Sequence, residues 1–388
     1  MNEAVKPAIP PTVKGLSLVS LFNDFASEMV YPLLPAFVVG TLGGSAALLG
    51  ILDGAADLTA AATKWVSGDL ADRPRWRKPL IVLGYFSAIL IRPFMAAASA
   101  AWQVVGFRVV DRLGKGLRTP ARDAFIADAT APEMRGRAFG FHRAADHFGS
   151  IPGALLAWWL LRHSVDVRQV LTWSIVPGVV AGLVLLFVLR NAPVRIKEAA
   201  AEARDATGRV FWGPVIALAG MVLLRLPETL LLLRLQDLGV AVATVPLVWA
   251  GLHVVRSFVS YPGGWLVDRV GPRGTVALGG VVFAALAAGL GVARGEAAAI
   301  GVFLLLGLVA GLTEPAERAM VSRLAPKRTG RGFGAYHAVT GLAALPAAAL
   351  FGVIYQQAGG NVALYASALG MLVVTMLWLL VAPKQVAA

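Results

Sequence analysis

The feature that most constrains this chain is the recurrence of apolar blocks of about 20 residues, the length at which a helix crosses a hydrocarbon core of about 30 Å. Helical spans are placed at 15–38, 46–67, 78–99, 102–124, 138–161, 168–190, 212–235, 243–263, 274–293, 297–321, 333–356 and 361–382. Composition agrees: hydrophobic residues make up 57% and charged residues 15% of the chain, against about 45–50% and about 25% in soluble domains. The first apolar segment carries Asp24 and Glu28, which a cleaved signal peptide would not, so it reads as a retained helix. The sequence holds no cysteine, which excludes disulfides, thiol catalysis and Cys-based metal sites.

The formal net charge is +13, and its distribution decides its meaning. With the N-terminus inside, the inside segments carry Arg73, Arg75, Arg77, Lys78, Arg135, Arg137, Arg195, Lys197, Lys327 and Arg331, whereas the outside loops carry only Arg162, Arg168 and Arg294. Such a bias in short loops orients a polytopic protein. The expectation is a multi-pass protein of the inner (plasma) membrane with both termini cytoplasmic, and no nucleic-acid partner. A polar stretch at 191–211 lies at the midpoint. It divides the chain into a tail (1–14), a six-helix bundle (15–190), a cytoplasmic linker (191–211), a second six-helix bundle (212–382) and a tail (383–388).

The two halves repeat. Gly68, Asp72, Arg73 and Arg77 recur 196 positions later as Gly264, Asp268, Arg269 and Arg273. Pro132, Gly136, Arg137, Phe139 and Gly140 recur 194 positions later as Pro326, Gly330, Arg331, Phe333 and Gly334. Two independent motifs at nearly one period imply a parallel repeat, the architecture of one class of secondary transporter.

The segment GDLADRPRWRKP from Gly68 resembles the loop between the second and third helices of the major facilitator superfamily. The resemblance extends over the chain through the repeat, the span count and the central loop. It implies an all-α membrane fold of twelve transmembrane helices in two pseudo-twofold-related bundles. It also implies a cytoplasmic gate in which Gly68 and Gly264 allow close helix packing. Asp72, Arg73, Arg77, Asp268, Arg269 and Arg273 would form the gate's charge cluster, with Asp123 or Asp128 as an acidic partner. Arg75 departs from the family's Gly, which the second copy keeps as Gly271. The segment RVVDRLGKG is similar to the fourth-helix Arg-x-x-x-Gly motif of the drug/proton antiporter branch, with Arg112 and Gly116 as the matching pair.

An ionised side chain at the centre of a spanning helix costs roughly 2.5–3.5 kcal/mol on insertion scales, so each one needs a reason. Asp24 and Glu28 lie four apart on one face of the first span. The fourth span holds Arg108, Asp111, Arg112, Lys115 and Arg118, the seventh Arg225 and Glu228, and the tenth Glu314, Glu317 and Arg318. In the family these four helices line the central cavity. The second span adds Asp53, Asp57 and Lys64, and the eighth adds His253 and Arg256. On the fifth, His142, Arg143, Asp146 and His147 cluster, at a spacing that matches no established metal site. Proline falls within several spans, Pro32 and Pro227 among them.

The expected function is secondary transport of a small organic solute by alternating access, coupled to protons as antiport or efflux. Asp24, Glu28 or both would carry the proton, with Arg112 tuning them or contacting substrate. A static ion pair between the first and fourth helices would leave the same sequence. Transport of an anionic metabolite, or lipid flipping on the same fold, are the alternatives. The sequence has no G-x-x-x-x-G-K-[ST], H-E-x-x-H or G-x-S-x-G motif, so neither an ATP motor nor an enzyme is expected. No cofactor is expected; the partners are the bilayer and the solute, and the protein is expected to act as a monomer.

Overall fold

The computed structural model describes residues 8–34, 36–44, 46–191, 209–241, 244–325 and 328–383. The linker expected at 191–211 lies, apart from its ends, outside them, as do parts of both tails. All regular structure among the described residues is helical. In chain order the helices are α1 Pro11–Val30, α2 Ala46–Ala71, α3 Pro74–Ala96, α4 Ala101–Ala129, α5 Arg135–Arg162, α6 Val167–Trp173, α7 Ile175–Asn191, α8 Arg209–Leu224, α9 Glu228–Asp237, α10 Val245–Val270, α11 Pro272–Val292, α12 Glu296–Leu324, α13 Thr329–Ala358 and α14 Gly360–Val381.

Six passages are long and apolar enough to cross a membrane on length and composition: α3, α6 with α7, α11, α12, α13 and α14. Their outward faces carry large apolar side chains in the open, such as Leu183, Phe187 and Leu369, at 64–71% exposure. A water-soluble surface would not tolerate that density, whereas lipid requires it. The remaining long helices hold most of the buried charge, which lowers their hydropathy.

Two breaks interrupt otherwise continuous passages at matching positions. α1 ends at Val30, and the chain continues through a tight turn, Tyr31–Leu33, and wide turns over Ala36–Thr41. α8 ends at Leu224 and α9 starts at Glu228, with Pro227 as its N-cap. Pro32 and Pro227 stand 195 positions apart, the offset of the repeat. A proline cannot donate to the helix ladder and crowds the preceding turn, which favours a break at these two places, although Pro93, Pro152 and Pro262 lie within unbroken helices. At the second break Ser367 of α14 repairs the backbone: its hydroxyl accepts from Leu226 N–H at 2.9 Å and donates to Leu224 C=O at 2.8 Å. Ser367 is fully buried. Ser367→Ala strands a buried amide, so thermal unfolding in detergent should show a destabilisation of about 1–3 kcal/mol.

Within the first half, α1 packs on α5 and α7, and α4 on α2 and α3; within the second, α12 packs on α10 and α11, and α11 on α14. The principal contacts joining the halves are α5 with α10 and α2 with α13. The loops after α2, α4, α10 and α12 lie at one end of the bundle, called here the basic end.

Candidate functional site

The seam between the halves begins at the basic end with two carboxylates that each seize a helix N-terminus of the opposite half. Asp72 accepts from Gly330 N–H at 2.7 Å and Arg331 N–H at 2.9 Å, the first turn of α13. Asp268 accepts from Gly136 N–H at 2.8 Å and Arg137 N–H at 3.0 Å, the first turn of α5. A helix N-terminus offers free amides and positive potential, which is what an anionic side chain needs there. Arginines complete each clasp: Arg137 Nε lies 2.8 Å from Asp268, and Arg328 Nε 3.5 Å from Asp72. Both carboxylates lie beyond the spans read from the sequence. Burial pushes each above its ordinary value, against the pull of the amides and guanidiniums.

Glycines let the backbones touch beside these clasps. A Cβ on Gly68 would lie 2.7 Å from the Gly330 carbonyl oxygen and from Gly334 Cα, and one on Gly264 would lie 2.2 Å from the Gly136 carbonyl oxygen. Neither neighbour is a flexible side chain that could move aside. Gly264→Val should therefore part α5 from α10 and destabilise the protein by about 1–3 kcal/mol. Thermal unfolding of the variant against wild type in detergent checks this.

The other gate candidates divide. Arg77 donates to Ala71 C=O at 2.8 Å, lies 4.0 Å from Asp72 and pairs closely with Asp128. Arg273 instead reaches the Leu379 carbonyl. Arg73 and Arg269 are exposed, the latter over the Trp265 ring at 5.0 Å. No ion pair involves either among the described residues. Asp123 sits deeper than the loop cluster and is fully buried. It accepts from Arg122 at 3.0 and 3.1 Å and faces His337 Nε2 at 2.8 Å and Arg318 Nε at 3.5 Å. It thereby ties α4 to α12 and α13.

Above the clasps lies a second link between halves. Glu314 on α12 pairs closely with Arg143 on α5, with His147 at 3.6 Å and Arg318 at 4.0 Å. Arg143 also holds Asp146 at 2.6 Å. The His-Asp cluster of α5 is thus committed to arginine, and no group of three or more potential metal ligands is arranged for an ion among the described residues. His253 stands between the rings of Trp249 and His147, with centroids at 5.3 and 5.6 Å. Arg256 pairs with Glu228 at 2.6 Å.

On the first-half wall, Asp111 lies 3.3 Å from Arg108 and 3.9 Å from Arg112. Arg225, at the break before α9, lies over the Phe283 ring at 5.5 Å. Asp24 and Glu28, like Glu317, whose contact is the Tyr336 hydroxyl, lack the ion pairs that hold most acids of the seam. Among the described residues Asp24 accepts from Asn23 Nδ2, at 3.1 Å. Neither Asp24 nor Glu28 has a cationic nitrogen within 4.0 Å among the described residues, whereas Asp72, Asp111, Asp123, Asp146, Asp268 and Glu314 all do.

Sequence reasoning missed His337, Arg122 and Ser367. His337 was within reach, because it stands 194 positions after Arg143, and both side chains extend to a carboxylate across the seam.

The model of the Major Facilitator Superfamily matches this chain twice, over residues 16–250 and 215–388. An MFS-type transporter of Methanocaldococcus jannaschii is 26% identical over 373 residues, 92% of each chain. The multidrug resistance protein MdtH of Cronobacter sakazakii is 30% identical over 244 residues, 60% of this chain and 58% of its own. Among solved structures, a proton:xylose symporter superposes with TM-score 0.78 at 14% identity, covering 96% of this chain and 95% of its own. The human organic anion transporter MFSD10 does so with TM-score 0.75 at 15% identity, covering 95% and 100%. The fold is shared with both. The chain is a multi-pass membrane transporter and belongs to the Major Facilitator Superfamily.

Proposed function

We propose that this protein is a proton-coupled secondary transporter of a small organic solute. It works by alternating access between two six-passage bundles, 15–190 and 212–382, with the basic end cytoplasmic in the inner (plasma) membrane. Counted as passages, α1 with its following turns, α6 with α7, and α8 with α9 each make one crossing, which brings the total to twelve. Phe139 and Phe333 are repeat counterparts, and they touch each other with ring centroids 5.8 Å apart. A residue meets its own counterpart only near a twofold axis, which supports the paired-bundle reading. Among the described residues, the hydrogen bonds and ion pairs between the halves lie no nearer the far end than the middle of the helices, as in Ser257 Oγ to Ala144 C=O at 3.0 Å. That distribution supports a state closed at the cytoplasmic side and open on the other.

The observation that carries the proton coupling is the pair Asp24 and Glu28. They are half-buried acids one helical turn apart on the first passage, without a cation in contact among the described residues. A carboxylate so placed can be neutral or charged at modest cost, depending on which groups approach it. The sense of coupling follows from the solute: one that competes with protons for these acids is exchanged for them. To test the proposal, a solute is first identified by thermal-shift screening of purified protein, because ligands stabilise the state they bind. Uphill transport is then measured against pH in proteoliposomes. Asp24→Asn and Glu28→Gln should lose pH-driven accumulation while retaining downhill movement. If both variants accumulate solute with the wild-type pH dependence, the proposal fails.

A further inference from the structure

The ammonium groups of Lys64 on α2 and Lys115 on α4 have no hydrogen-bond or ion-pair partner among the described residues, and the Arg112 guanidinium has only the 3.9 Å approach to Asp111. Arg112 Nε is buried without a hydrogen-bond partner. A buried, unpartnered guanidinium nitrogen beside two unpaired ammonium groups is costly unless something anionic arrives.

The three groups are neighbours. α2 and α4 meet where Ser67 Oγ donates to Gly116 C=O at 2.7 Å, and a Cβ on Gly116 would touch Thr63. Lys64 and Lys115 flank this contact. Arg112 and Lys115 stand three residues apart on α4 and so share one face of that helix. The Lys64 backbone lies against Gly334 of α13, one turn above the Gly68 seal. Lys115 is exposed although helices surround α4, so its ammonium looks into the space between the halves.

We propose that Lys64, Arg112 and Lys115 form an anion-binding floor of the transport path, so that the solute carries a carboxylate or phosphate group placed against the closed gate. This rests on the reading of the seam as a transport path and names the chemical class of what travels along it. The floor is linked to the proton site. α1, which carries both acids, packs against α4, so Lys115 is a cation that both acids share. Protonating either acid removes a competitor for Lys115 and strengthens its hold on a solute anion. Asp57, seven residues before Lys64 and so two turns away on the same face of α2, is exposed.

Because the chain has no cysteine, a single introduced thiol reads the local potential. Gly341 on α13 faces Ala61 of α2 with room for a side chain, its built Cβ 3.5 Å from Ala61 Cβ. Gly341→Cys in full-length protein in nanodiscs is labelled with a sulfonate-bearing methanethiosulfonate and with its trimethylammonium counterpart. Both rates are normalised to those of a free thiol. The anionic reagent should be favoured by about tenfold or more. Lys64→Gln and Lys115→Gln should each reduce that preference, and Lys115→Arg should keep it. Benzoate, succinate and inorganic phosphate are then offered as protectants beside benzamide and succinamide. At least one acid should slow labelling, neither amide should, and Asp24→Asn should strengthen the protection.

Equal or faster reaction with the cationic reagent overturns the proposal. So does a preference unchanged in the two glutamine variants, protection by the amides equal to that by the acids, or no protection by any acid. Those results leave pH-driven transport through Asp24 and Glu28 standing. A thiol at 341 inert to both reagents rejects a water-filled path beside α2 and α13, and with it the anion-binding floor.

Discussion

Asp123→Ala should be the most destabilising single substitution in the seam, lowering stability by about 3–5 kcal/mol, because it removes a buried counter-charge that two buried arginines share. The carboxylate is fully buried and serves Arg122, Arg318 and His337 together. Arg122 keeps its bond to Ser20 Oγ, at 3.2 Å. Arg318 keeps its carbonyl bond to Glu314 at 3.0 Å and the 4.0 Å approach to that residue's carboxylate. A large fall in unfolding temperature in detergent is the readout. Adding Arg122→Met to Asp123→Ala should recover part of the loss, since apolar replacement of both partners of a buried pair is often tolerated. An Asp123→Ala protein as stable as wild type would mean that the hub is not formed.

The double variant Asp72→Asn, Asp268→Asn should open the basic end. Each carboxylate accepts two amide hydrogen bonds across the seam, and hydrogen bonds to charged groups are worth roughly 1.5–3 kcal/mol each. Asparagine keeps one acceptor oxygen and loses the charge. A net loss of about 3 kcal/mol over the two clasps changes the ratio of closed to open states by roughly a hundredfold. Arg73 and Arg269 are exposed on opposite halves, so spin labels on cysteines at these positions report the separation. The distance distribution should move to longer values in the double variant and stay short in wild type. Either single variant should shift it less, because the other clasp remains.

The parts of this site visible in the sequence are those written in local pattern. Asp72 and Asp268 stand out because the same short motif occurs twice, and a turn after a spanning helix places them beside a helix start. The charged faces of the first, fourth, seventh and tenth spans stand out because charge in an apolar block is expensive. What the sequence hides is rotation and pairing. A helix apolar on most sides has no periodicity that says which face meets which neighbour. Thus Arg143 could not be matched to Glu314, nor His337 to Asp123, from spacing alone. The breaks at Pro32 and Pro227 were readable as kinks, yet their consequence, Arg225 freed from regular helix and Ser367 recruited to repair it, depends on α14 passing beside them. Asp123 and Asp128 were equivalent in sequence. The loop arginine takes Asp128 because five residues of helix place Asp123 more than a turn deeper, within reach of α12 and α13.

The central claim is that these acids and bases face a water-filled chamber and the large apolar side chains face lipid. Single cysteines at Glu28, Leu183 and Leu369, each in the otherwise cysteine-free chain, test it most directly with a membrane-impermeant thiol reagent added to the non-cytoplasmic side of intact cells. The cysteine at 28 should react, while those at 183 and 369, on faces that are 64–65% exposed, should stay silent in lipid. Silence at 28 together with reaction at 369 would contradict the account.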